Sequence, residues 1–221
     1  MFWRFLLPFV YLWCLPAISM DKSKCGHSAL CMFQPAGCNP KLDCTLGLIL
    51  SINDNDTILQ IQSVAQKLFP PVALQYIAIG FSKDKIMGDD MVIECILSDQ
   101  IEDSGPEVFL SHNIGKSNDR IYLDQSERSL YFHNVSSIVI DGRLYCNYSI
   151  DIKPQIREKK DRAWDLNDNF YIFGVTGSAQ PDDYTMNIHH INITYPKLIN
   201  FIMHVEPIVL LFRQLFSHKY F

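Results

Sequence analysis

Tyr76-Ile77-Ala78-Ile79-Gly80-Phe81-Ser82-Lys83-Asp84-Lys85-Ile86-Met87-Gly88-Asp89-Asp90-Met91-Val92-Ile93-Glu94-Cys95 is the stretch that decides the fold class. Tyr76, Ala78 and Gly80 alternate with Ile77, Ile79 and Phe81, the period of a half-buried strand. Ser82 to Lys85 are polar and read as a turn, and from Met91 an extended apolar pattern resumes. The whole is strand, turn, strand. Met87 sits at the mouth of this hairpin, beside a glycine and ahead of two carboxylates. A flexible thioether there is either a gap-filler in a core or a ligand. Asp89 and Asp90 read as turn-capping carboxylates in preference to a calcium site.

The same grammar extends in both directions. Leu48, Leu50 and Ile52, then Ile58, Leu59 and Ile61, predict two strands about an Asn53-Asp54-Asn55-Asp56 turn. Residues 62–71 are ambiguous, with Val64, Ala65 and Leu68 compatible with one helical turn before Pro70-Pro71. Short extended segments are predicted at 107–114, 121–124, 130–133, 137–140 and 143–152. Ser126-Glu127 and Asp141-Gly142 are among the turns between them, the latter a hairpin signal. Residues 169–175 form another strand, and 184–195 return as one carrying His189-His190. Short strands with regular turn punctuation predict an all-β antiparallel sandwich.

Composition narrows the function classes. With 19 Lys+Arg against 24 Asp+Glu the net charge is −5, so no basic face for nucleic acid is expected. No Gly-x-Ser-x-Gly elbow supports a hydrolase. Residues 1–19 combine Arg4, an apolar run and small residues at Ala17 and Ser19, the pattern of a secretory signal peptide. Six cysteines follow: Cys25, Cys31, Cys38, Cys44, Cys95 and Cys146. An even set behind a signal peptide predicts disulfides, and the missing C-x2-C knuckles argue against zinc. Their pairing stays open. Asn55, Asn134, Asn147 and Asn192 each begin an N-glycosylation acceptor and are expected at the surface.

Residues 20–46 are thus a disulfide-rich N-terminal segment, and 47–196 the β-sandwich. In residues 197–221 an apolar tail is broken by His204, Glu206, Pro207 and Arg213. It falls short of the ~20 uninterrupted apolar residues that a spanning helix needs. It reads as an anchor, an amphipathic membrane-associating segment or the stump of a longer chain.

Taken together, these residues resemble a known family. Cys25-Gly26-His27-Ser28-Ala29-Leu30-Cys31 with Gly37-Cys38-Asn39 is similar to the start of domains in the ferric-chelate reductase 1 family. Tyr76 to Ser82, then Met87-Gly88-Asp89-Asp90 and Glu94-Cys95, resemble its DOMON signature. Phe170-Tyr171-Ile172-Phe173, Gly177 and Ile188-His189-His190 resemble its closing strands. The resemblance implies a DOMON-type β-sandwich that in several relatives holds b-type haem between a methionine and a late histidine. Here those positions fall on Met87 and His189, with His190 as the neighbouring rival. Alternation along a strand lets only one of the two histidines face the cofactor. A slot between the two sheets is the expected location.

Two functions follow from the resemblance. The first is a non-catalytic accessory module of a membrane receptor complex. The layout is similar to the ferric-chelate reductase 1-like proteins, which act on AMPA-type glutamate receptors in the endoplasmic reticulum. The alternative is a haem-binding electron-transfer module serving a membrane reductase. Full reductases carry a reelin-type domain and a multi-helix cytochrome domain that have no counterpart in this sequence, so this chain by itself is not expected to reduce iron. Either reading places the protein in the secretory pathway: at the luminal or extracellular face of the endoplasmic reticulum or cell-surface membrane, or secreted.

Overall fold

The computed structural model describes residues 20–53, 55–97, 107–115, 117–156 and 161–179. The signal segment, His189, His190, Asn192 and the tail lie outside them. In chain order the elements are a 3-10 turn at Lys22–Lys24, then β1 Ala29–Gln34, β2 Leu46–Ile52, β3 Ile58–Gln66, β4 Leu74–Ser82 and β5 Met91–Leu97. There follow β6 Glu107–Ile114, β7 Ser117–Arg120, α1 Gln125–Tyr131, β8 Phe132–Ile140, β9 Arg143–Asp151 and β10 Tyr171–Ala179. They form two five-stranded antiparallel sheets, ordered β1-β2-β3-β9-β8 and β10-β4-β5-β6-β7. The chain is an all-β sandwich.

Alternation places one apolar row of each strand between the sheets. Leu48, Leu50, Ile61, Cys146 and Ile150 from the first sheet meet Ile77, Ile79, Phe81, Met91, Ile93, Leu110 and Ile172 from the second. Most of these are fully out of water. Gly174 belongs to this inner row because a Cβ there would lie 2.7 Å from Leu48 Cδ1. Cys95 on β5 and Cys146 on β9 join the two layers covalently. Cys25–Cys31 and Cys38–Cys44 close two short loops of the N-terminal segment. All six cysteines are thus disulfide-bonded, which fits an oxidising extracellular or luminal compartment. It also removes the zinc reading, since the grouping of Cys38 and Cys44 with Asp43 has no thiolate to offer.

The N-terminal segment is more than a lead-in. It supplies β1 as an edge strand paired along β2. Its loops also cover the outer face of the first sheet, where Met20 and Ala29 pack with Ile49, Val64 and Tyr145. Arg143, at the start of β9, reaches into this segment. Its Nε donates to the Pro40 carbonyl (2.9 Å), its Nη1 to that of Leu42 (3.1 Å) and its Nη2 to that of Cys44. Tyr145 Oη donates to the same Pro40 oxygen.

Local departures from the sequence reading have physical causes. Residues 62–66 continue β3 and do not form a helical turn, because β3 lies between β2 and β9 and is paired along both edges. The strand expected at 121–124 lies earlier, at Ser117–Arg120. Ser126 and Glu127, expected in a turn, belong to α1. Asp124 accepts from the Glu127 N–H while the Glu127 carboxylate accepts from the Asp124 N–H, a capping box that the sequence carried openly. Asp141-Gly142 does turn β8 into β9, with both residues at positive φ (51° and 68°), as a primed hairpin turn requires.

Of the glycosylation acceptors, Asn55 and Asn134 are exposed, the latter at a bulge in β8. Asn147 is half-buried on an interior strand, with Oδ1 out of water. Among the described residues no helix is long and apolar enough to cross a membrane.

Candidate cofactor site on the outer face of the second sheet

The two faces of the second sheet differ in chemistry. Its inner row is mostly apolar, with Gln75, His112 and Thr176 towards its ends, whereas its outer row mixes small, apolar and polar side chains. On β4 the outer residues are Tyr76, Ala78 and Gly80, on β5 Val92, Glu94 and Ile96, and on β10 Phe173 and Val175. Tyr76, Ala78, Val92, Ile96 and Phe109 form an apolar cluster with Leu74 and Val175.

Met87 is half-buried and belongs to this outer face. It lines a shallow cavity of about 20 Å³ with Ala78, Gly80, Asp90, Val92, Asn113, Phe173 and Val175. The inter-sheet slot expected from sequence is therefore not where Met87 lies, because β-branched, leucine and aromatic side chains fill that layer. The hairpin's other methionine makes the contrast plain. Met91 is wholly buried in the inner layer and its sulfur accepts the Trp164 backbone N–H at 3.2 Å, so it serves as core.

The loop that carries Met87 is pinned by Asp90. This carboxylate is buried, as a turn cap should be, and its Oδ2 accepts the Gly88 N–H at 2.8 Å. The Asn113 backbone N–H donates to the Asp90 carbonyl at 2.8 Å, tying the loop to β6. Asp90 Oδ1 and Asn113 Oδ1, both in residues lining the cavity, are buried without hydrogen-bond partners.

Next to this floor lies a polar network whose strength the sequence pattern hid. Glu94 is fully buried; its Oε1 accepts from Ser111 Oγ (2.7 Å) and from Asn118 Nδ2, and its Oε2 faces Arg120 Nη2 at 3.5 Å. Burial pushes its carboxyl above the usual glutamate range, against the opposing effects of Ser111, Arg120 and Asn118. The folded chain then holds a proton that the unfolded chain releases. Stability should accordingly fall as pH rises from about 4.3 through the raised folded value. Glu94→Gln should flatten that part of the difference. Urea unfolding of both proteins between pH 4 and pH 8 measures it, and parallel curves would refute the assignment. A lone charge inside the apolar run Met91-Val92-Ile93-Glu94-Cys95 was the available sequence signal.

Around Met87 the outer face is closely packed, with Ala78, Val92 and Phe173 themselves out of water. A thioether stands at the rim. Ala78 and Gly80 leave the sheet surface flush. A Cβ on Gly80 would meet Phe173 only at 3.5 Å, an ordinary contact, so core packing does not demand a glycine there. The enclosed volume is little more than one water needs, so the cavity itself is far smaller than a haem. His189 and His190 fall outside the described residues, and the structure brings neither to Met87.

Comparison with known proteins adds a relationship. The chain is 27% identical over 180 residues to ferric-chelate reductase 1 of Bos taurus, covering 81% of this chain and 27% of that protein. It is 27% identical over 189 residues to ferric-chelate reductase 1 of Homo sapiens, covering 83% and 28%. A ferric-chelate reductase 1 homolog of Drosophila melanogaster is 25% identical over 173 residues, covering 74% and 24%. No family model matches the chain. No solved structure matches it. The chain spans about a quarter of the length of the curated relatives it matches. Over most of its own length, then, this sandwich is related to one portion of proteins named ferric-chelate reductase 1.

Proposed function

We propose that this chain is a DOMON-type module that binds b-type haem on the outer face of its second sheet and serves a ferric-chelate-reductase-type electron-transfer system. The observation that carries this reading is Met87, held half-buried at the rim of a flush, apolar floor. Haem bound there would supply a one-electron couple, with a potential raised by thioether and imidazole ligation. Met87 would give one ligand, and either His189 or His190 the other. Ala78 and Gly80 keep the floor flat, Phe173 and Val175 exclude water, and Asp90 fixes the loop from which the thioether projects. The partner in this reading is a membrane reductase, with residues 197–221 available for membrane association.

A second reading is a non-catalytic accessory module of a membrane receptor complex, of the glutamate-receptor type. The small enclosed volume at Met87 favours it, since a docking domain needs no cofactor cleft. Both readings place the protein on the luminal or extracellular side.

Visible absorption of the mature protein, produced with haem in supply, separates them. The expected result is a sharp reduced α-band that disappears in Met87→Ala and in one of His189→Ala and His190→Ala. A wild-type protein without the band overturns the haem reading and leaves the accessory one.

A further inference from the structure

At the opposite edge of the second sheet, two guanidinium groups converge on one aromatic ring. Arg120 Cζ lies 3.8 Å from the Phe109 ring centroid, and Arg128 Cζ, from α1, lies 5.1 Å from the same centroid. Like charges held this close repel; burial chiefly, with Arg128 adding to it, holds the Arg120 guanidinium below its usual range. Stacking on the ring offsets part of that cost. It does not satisfy hydrogen-bond donors.

Arg120 has donors to spare. Its side chain is only 15% exposed, and Glu94 takes its Nη2 edge alone. Nε and Nη1 are buried and have no acceptor. Buried guanidinium N–H groups without partners are costly, and a negatively charged oxygen is the acceptor that such charged donors bind most strongly. The acidic groups near Arg120 are Glu94, already engaged by Ser111 and Asn118, and Glu107.

Both arginines line a cavity of about 50 Å³, with Phe132 and Leu123 among its apolar walls and Tyr122 also lining it. At about 10–15 Å³ of such volume per water, the space takes about three to five waters or one carboxylate- or phosphate-sized group. Two cations, unmet donors and a cavity of that size meet at one place.

We infer that the cavity beneath Arg120 and Arg128 is a binding site for a small oxyanion, the carboxylate of an organic acid or inorganic phosphate. It stands independently of any cofactor at Met87. An oxyanion there relieves the repulsion between the guanidiniums and accepts from an unmet donor of Arg120.

The test is titration of the mature full chain with citrate, acetate and phosphate, each against sodium chloride at matched ionic strength. Calorimetry gives affinity, and the arginine Nε–H resonances report location. Saturable binding that shifts the Arg120 Nε–H signal is expected, weakened about tenfold or more in Arg128→Gln. Arg128→Lys should recover only part, because it restores charge without the fork. Preference for citrate identifies an organic acid as the ligand, and preference for phosphate identifies phosphate. Responses no larger than those to chloride, or equal affinity in a folded Arg128→Gln, would overturn the site.

Discussion

Replacing Cys95 and Cys146 together by alanine should destabilise the sandwich by about 4 kcal/mol. The bridge spans 51 residues and ties β5 of one sheet to β9 of the other. Without it the unfolded chain regains the freedom of that loop, and on the chain-entropy account the cost grows with loop length. Both sulfurs are fully buried, so the paired substitution also leaves small voids among Ile77, Leu144 and their neighbours. The thermal midpoint should drop by about 8–16 °C. Neither of the other two bridges should matter as much, because each closes a separation of only 6 residues. A paired substitution at Cys25 and Cys31 serves as the comparison, and an equal loss from both pairs would contradict the inter-sheet role.

Arg143→Met should cost about 3–5 kcal/mol and loosen the N-terminal segment ahead of the sandwich. This arginine is 4% exposed and donates to three backbone carbonyls of the loop between β1 and β2. Methionine fills much of the same volume and leaves the Leu42 and Cys44 carbonyls without this donor, while Pro40 keeps only the Tyr145 hydroxyl. The loop would then detach from the start of β9 and expose Tyr145, whose hydroxyl donates to it. Trypsin reports this directly, because Lys41 lies in the loop and its backbone N–H is held by Asn39. Faster cleavage at Lys41 in Arg143→Met, with partial protection restored by Arg143→Lys, is the expected outcome. Unchanged cleavage would show that the Cys38–Cys44 bridge and β1 suffice to hold the loop.

The fold class was legible because its signals are local. Tyr76 to Phe81 became β4, buried on both faces and not on one as its alternation suggested, and Leu48 to Ile52 became β2, since short β-branched and aromatic runs between turn residues admit few other conformations. Asp141-Gly142 specified its own turn through backbone sterics. The capping box at Asp124 and Glu127 was equally local and was obscured only by the apolar Leu130 and Tyr131 that follow it; Leu130 proves to be 62% exposed.

By itself the chain's order of residues determined that there are two apolar-faced sheets, that the cysteines pair among themselves, and that Met87 stands at a hairpin mouth. Which cysteine meets which, which face of the second sheet Met87 borders, and what neutralises Arg143 and Glu94 were decided only when distant strands came together. The reason is distance along the chain: Glu94 is paired to Phe109 by strand register, and Arg143 lies about a hundred residues from the carbonyls it holds. No periodicity encodes such contacts. They arise from closing the sandwich, where desolvation makes each buried donor and carboxylate find the partner that geometry offers.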